Sequence, residues 1–264
     1  MSTEPVPPRP DAMHPVSEVP VSLETPRHKL AARPKATWRP WQALAVYLGA
    51  FLAGGIAALP VLQLMGNDDF GAIVSTVVAA AVILGVLVFW LQRGHPGWVD
   101  VLGVPKDWVA EVRAGVVFGI GLYPAVVFVV GLVLVVVFRV LSGHSVQAPE
   151  QISQHLPVAG TIVTIVYAIA LAPLGEELFF RGVLFRAIRD RYGFPAGALG
   201  SAVAFGSIHY IPGPALDSLL LMTVMVFTGL GLAYIYERRG SIVAPIAAHV
   251  TFNAIGLALI YGLR

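Results

Sequence analysis

Hydrophobic residues run along this chain in long, nearly uninterrupted stretches, and polar residues collect between them. A bilayer core about 30 Å thick needs about 20 apolar residues per helix. Stretches near that length cover residues 41–65, 70–91, 114–140, 158–184, 196–211, 216–236 and 241–261. The expected fold is therefore all-α, a polytopic membrane helix bundle of about seven transmembrane helices. The fourth stretch holds Pro173, which removes a backbone donor and crowds the preceding turn, so this helix is expected to be broken there. Small residues such as Gly54, Gly55, Gly119, Gly121, Gly197, Ser201, Gly229 and Gly231 would let helices approach closely.

Residues 1–40 are of different material: polar, rich in proline and without helical periodicity, which predicts a disordered tail ahead of a bundle spanning 41–264. The tail lacks the short apolar core and small-residue cleavage site of a secretory signal, so it is expected to stay attached. Its end carries Arg27, Lys29, Arg33, Lys35 and Arg39. With spans that alternate, Arg93, Lys106, Arg113, Arg186, Arg189, Arg191, Arg238 and Arg239 fall on the same side as that cluster. Asp68, Asp69, Glu150 and Asp217 fall on the other, with Arg139 and Arg264 as strays. An excess of Lys and Arg marks the cytoplasmic side, so a cytoplasmic N-terminus in a multi-pass cell-membrane protein is expected.

Composition agrees with a lipid solvent, since 57% of the 264 residues are hydrophobic and 12% charged. The absence of cysteine removes disulfides, thiolate ligands and a thiol nucleophile. The formal charge of +2 reads as topology, and no nucleic-acid partner is expected.

Ionisable groups at membrane depth are costly and usually face a cavity or one another. Of fifteen acidic residues only Glu176 and Glu177 lie well inside an apolar stretch, and of seven histidines only His209 and His249. A helical hairpin turning at Tyr192-Gly193 sets Glu176 beside His209, both about 13 to 17 Å deep, with His249 at about 12 Å. Residues four apart share a helix face, so Glu177 can pair with Arg181, Phe205 lies over His209 and His249 over Asn253. Glu176 points about 100° away from Glu177, free to face a cavity. A carboxylate that takes a proton from water, two imidazoles and an amide are the parts for amide hydrolysis. Asn253 suits an oxyanion donor or an interhelical hydrogen bond equally, and Phe205 suits a wall.

These residues resemble the CAAX protease and bacteriocin-processing (Abi) family of intramembrane endopeptidases. The matching motifs are Glu176-Glu177-Leu178-Phe179-Phe180-Arg181, Phe205-Gly206-Ser207-Ile208-His209 and His249-Val250-Thr251-Phe252-Asn253, within a family-like core of about 158–256. The resemblance implies catalysis by Glu176, His209, His249 and Asn253, supported by Glu177, Arg181 and Phe205. It leaves two roles for metal: a glutamate mechanism that needs none, or a single divalent ion such as zinc on Glu176, His209 and His249, as in a metalloendopeptidase. The second would take Glu176 away from its work as a base, and no His-Glu-x-x-His motif is present. The expected function is hydrolysis of a peptide bond in a membrane-associated protein or peptide that enters from the bilayer or the cytoplasmic face. The alternatives are a non-catalytic peptide-binding or immunity protein and a proton-coupled transporter.

Overall fold

A computed structural model of the protein describes residues 29–66, 68–149 and 156–262. The disorder expected for residues 1–28 lies outside the described residues. Among those described the chain is helical throughout and has no strand. The helices are α1 (Pro40–Met65), α2 (Asp69–Gly94), the short α3 (Trp98–Leu102), α4 (Trp108–Ser142), α5 (Val158–Tyr192), α6 (Phe194–Ser207), α7 (Ala215–Arg239) and α8 (Val243–Gly262).

Six of these, α1, α2, α4, α5, α7 and α8, are long and apolar enough to cross a membrane. The stretch 196–211 differs from expectation. Its helix α6 has 14 residues, about 21 Å of rise, and stops at Ser207 because the chain turns back toward Pro214. Apolar side chains point outward along the spans, for example Leu48 (67% exposed) and Val117 (72%), which is the arrangement a lipid solvent favours.

The interruption expected at Pro173 is a change of register, not a gap. Helix α5 passes through Pro173 unbroken, with π-helical turns at Tyr167–Leu171 and Leu178–Phe185. Proline crowds the carbonyl four residues back, here Ile169, and that residue lies within the first widened turn. Helix α5 occupies the middle of the bundle, against α1, α2, α6, α7 and α8. Every residue of Leu178–Phe185 is buried.

Two ends of the bundle can be distinguished. At the end holding the basic clusters, Glu111 pairs with Arg239 at 2.8 Å, Glu237 pairs with Arg189, and Asp190 pairs with Arg186 at 3.1 Å. The Ile242 N–H donates to the Leu102 carbonyl at 3.1 Å. Part of the expected tail also belongs here: Lys29–Ala32 forms a 3-10 turn, and Leu30 and Trp38 are fully buried. The Trp38 indole donates to the Val183 carbonyl at 2.9 Å, the Ala36 N–H to Asp190 at 2.8 Å and Arg33 to the Gly240 carbonyl at 3.1 Å. Gly240 ends α7 with φ 64°, and a Cβ there would meet the Lys29 backbone at 2.7 Å, so only glycine admits this strap. At the opposite end the Gln147 N–H donates to Asp217 at 3.0 Å.

Helices α4 and α8 pack closely near the basic end and part beyond it. A Cβ on Gly115 would meet the Ala244 carbonyl oxygen at 2.3 Å, and one on Gly119 the Ala248 oxygen at 2.6 Å. Such small-xxx-small contacts let backbones touch where lipid gives no hydrophobic drive between helices. Past Pro124 a π-helical turn, Ala125–Val130, carries α4 away from α8 toward α7. The space left between them is the cavity of the next section.

Candidate active site

Glu176 and Glu177 sit on successive positions of α5, and the helical rotation between them gives them different surroundings. Glu177 is fully buried. Its Oε1 accepts from Arg181 at 2.9 Å, one turn along, and from His249 Nδ1 at 2.8 Å. The Arg181 guanidinium also donates to the Gly229 carbonyl at 3.3 Å and lies 4.4 Å from the centre of the Phe205 ring. Burying a lone charge in an apolar interior is costly, and this pair with its added bonds offsets that cost.

Glu176 points into a cavity of about 1160 Å³. Its side chain is 23% exposed, and its Oε2 has no hydrogen-bond partner among the described residues. That oxygen lies 4.0 Å from His249 Nε2. An ionised carboxylate only accepts, so the bond to Glu177 places a proton on His249 Nδ1, and in the neutral ring the lone pair is then on Nε2, facing Glu176. His209 repeats the pattern: its Nδ1 lies 2.8 Å from the Phe205 carbonyl, which can only accept, so its Nε2 also carries the lone pair. His209 lies in the turn that follows α6, not in the helix expected there, and its N–H donates to the Gly206 carbonyl at 3.1 Å. Phe205 is fully buried and packs edgewise on His249, with ring centres 5.7 Å apart, while touching His209 at 4.8 Å.

Glu176, His209, His249 and Asn253 all line the same cavity. Asn253 spends one amide N–H on the Ala168 carbonyl at 2.8 Å, a bond between α8 and the first π turn of α5. The interhelical bond and the cavity position are both present, since the amide has a second N–H. Two features were not read from the sequence. Glu177 holds His249 as well as Arg181, and helical spacing says nothing about a partner 72 residues away. Tyr167 joins the lining nine residues before Glu176, about two and a half turns outward, and regular helical spacing would have put it on the opposite face.

Among the described residues no three His, Asp or Glu side chains are grouped so as to hold a metal ion. Glu176, His209 and His249 share a cavity without forming a ligand cluster, so no step below is routed through a metal.

The fold and the site define an all-helical, multi-pass membrane protein with a carboxylate–imidazole cluster inside the bundle. Residues 158–255 match the sequence model of the family described as Rce1-like, type II CAAX prenyl endopeptidase. That description carries the CAAX half of the resemblance; the bacteriocin-processing and metallo labels are not part of it. Among curated proteins the chain is 34% identical over 110 residues to "Putative membrane peptidase YdiL" of Bacillus subtilis strain 168, covering 42% of this chain and 40% of that protein. It is 28% identical over 102 residues to an "Uncharacterized 24.3 kDa protein" of Escherichia coli, covering 38% and 45%. The aligned segments thus span less than half of either relative. No solved structure matches the chain. The likeness to the CAAX prenyl endopeptidase family is thus confined to residues 158–255.

Proposed function

We propose that the protein is an intramembrane endopeptidase in which Glu176 activates a water molecule against a peptide bond of a membrane-associated protein or peptide. The observation that carries this reading is the unpartnered Glu176 Oε2 lying 4.0 Å from His249 Nε2. Two acceptors at that separation can share one water at ordinary hydrogen-bond lengths of about 2.8 Å. Glu176 takes the water proton as the oxygen attacks the carbonyl carbon, and later passes it to the departing amide nitrogen. Glu177 keeps the His249 lone pair aimed at that water by holding the proton on Nδ1. The second N–H of Asn253 stabilises the oxyanion, and the His209 Nε2 lone pair accepts from an N–H of the bound peptide.

The test compares wild-type and Glu176→Gln protein at matched levels in a strain lacking the native gene, by mass spectrometry of protein termini in the membrane fraction. The substitution keeps size and polarity but removes the base, so cleavage should fall by about 10² to 10⁴-fold. Identical sets of termini, with equal rescue of the deletion phenotype, would replace catalysis with peptide binding.

A further inference from the structure

The cavity occupies one end of the bundle, and every element that lines it agrees on which. On α5 the lining runs from Tyr167 to Glu176, ahead of the basic residues Arg186, Arg189 and Arg191. On α7 it runs from Leu220 to Thr228, ahead of Arg238 and Arg239. Helices α4 and α8 run the other way: they leave the basic end first, and their lining residues begin only at Tyr123 and His249. Beyond α4 the wall continues through Ala148 and Pro149, next to the Gln147 that is bonded to Asp217 at the start of α7. From His249 to Ile260 helix α8 rises about 16 Å, which gives the length of the space between the catalytic level and its outer rim.

The basic end closes in the opposite manner. Strap residues 29–39, the three ion pairs and the Gly115 and Gly119 contacts lie there, and the lining of the catalytic cavity stops short of it; a separate pocket of about 700 Å³, lined by Lys29, Arg33, Arg189, Glu237 and Arg239 among others, shares no residue with that cavity. Lys and Arg concentrate on the cytoplasmic side of membrane proteins. The site therefore opens away from the cytoplasm, which reverses the entry side expected from depth alone. Among the described lining residues Glu176 is the sole Asp, Glu, Lys or Arg. A charged substrate side chain would lose its hydration without gaining a partner along the outer part of the space.

Building on the peptidase reading, we propose that the cavity takes an uncharged, apolar polypeptide segment presented from the extracytoplasmic side of the membrane, and that the scissile bond lies within that segment. The chain contains no cysteine, so single-cysteine variants report one position each without background. Ala148→Cys lies at the rim of the cavity, and Lys106→Cys lies in the exposed loop before α4 at the basic end. Both variants are treated with a membrane-impermeant maleimide in intact cells and after permeabilisation. The expected result is at least tenfold stronger labelling of Ala148→Cys than of Lys106→Cys in intact cells, and equal labelling after permeabilisation. Reversed labelling, equal labelling in intact cells, or labelling of both only after permeabilisation each overturns the proposal. The termini of the Glu176→Gln comparison supply the second arm. Cuts that depend on Glu176 should fall in apolar segments on the extracytoplasmic side, and cuts in cytoplasmic segments overturn the proposal while leaving the peptidase reading intact. Outward labelling without any Glu176-dependent cut removes the peptidase reading and leaves only the orientation of the cavity standing.

Discussion

The two ends of the bundle treat carboxylates in opposite ways. At the basic end Glu111, Asp190 and Glu237 each meet an arginine within hydrogen-bond distance. Around them the helices touch through glycine and a strap lies across the end. At the cavity Glu176 is left with a free oxygen, beside helices that a π-helical turn has spread apart. Glu177 stands nearer the first regime although it is the next residue in sequence: it is buried and paired, with its Oε1 bonded by both Arg181 and His249, while its Oε2 has no hydrogen-bond partner among the described residues. A carboxylate held by an arginine stabilises one arrangement of helices, whereas one that faces a cavity without an arginine partner is available for proton transfer.

The largest effect should come from breaking the buried pair and comparing it with a rim pair. Arg181→Met leaves Glu177 charged and buried with His249 as its only partner, which costs about 3–5 kcal/mol. Arg239→Met removes the partner of Glu111, where the two side chains are 30% and 12% exposed, and should cost at most about 1 kcal/mol. Thermal unfolding of the two proteins in the same detergent orders them. Equal losses would mean that burial does not separate the two ends in the way argued above.

Much of this contrast could be read from the sequence, because it rests on spacing and depth. The interval from Glu177 to Arg181 is one helical turn, and counting rises from the Gly193 turn for Glu176 and His209, and from Ser241 for His249, set the three at similar depths. What could not be read depends on how helices meet. The His249 bond to Glu177 joins α8 to α5, and whether α4 leans toward α8 or α7 is decided by Gly115, Gly119 and the turn after Pro124 together. Depth likewise locates a site but does not say which half of the bundle is open. Residues 29–39 were assigned to the tail on proline and charge content, yet Leu30 and Trp38 were apolar anchors within that stretch. The 14-residue α6 was overestimated because apolar residues continue through Ile208 and Ile211 after the helix has ended.

A smaller effect tests whether the strap contributes to the closed end. The Trp38 N–H reaches the Val183 carbonyl inside the second π-helical turn of α5, between Arg181 and the basic cluster. Trp38→Phe keeps an aromatic ring and removes the donor, leaving a buried carbonyl unpaired at a cost of about 1–3 kcal/mol. The unfolding midpoint should fall between those of Arg181→Met and Arg239→Met. A midpoint equal to that of wild type would show that the strap merely covers the bundle.

The smallest expected effect is a dependence on pH at the junction of strap and bundle. His95 follows α2, packs edgewise on Trp38 and Trp90 with ring centres 5.1 and 4.3 Å away, and has its Nδ1 2.8 Å from the Thr37 hydroxyl. Burial pushes its imidazole below the ordinary value of 6.5. The folded protein therefore binds this proton more weakly than the unfolded chain does. Above the ordinary value the group is neutral in both states and costs nothing. As pH falls from there through the folded value, the unfolded chain takes up more protons and stability is lost. His95→Asn retains a hydrogen-bonding group for Thr37 and cannot titrate in this range. The midpoint advantage of wild type over His95→Asn should accordingly shrink between about pH 7 and pH 5. An advantage that stays constant over that interval would mean that the proton on His95 is bound equally well whether or not the strap is docked.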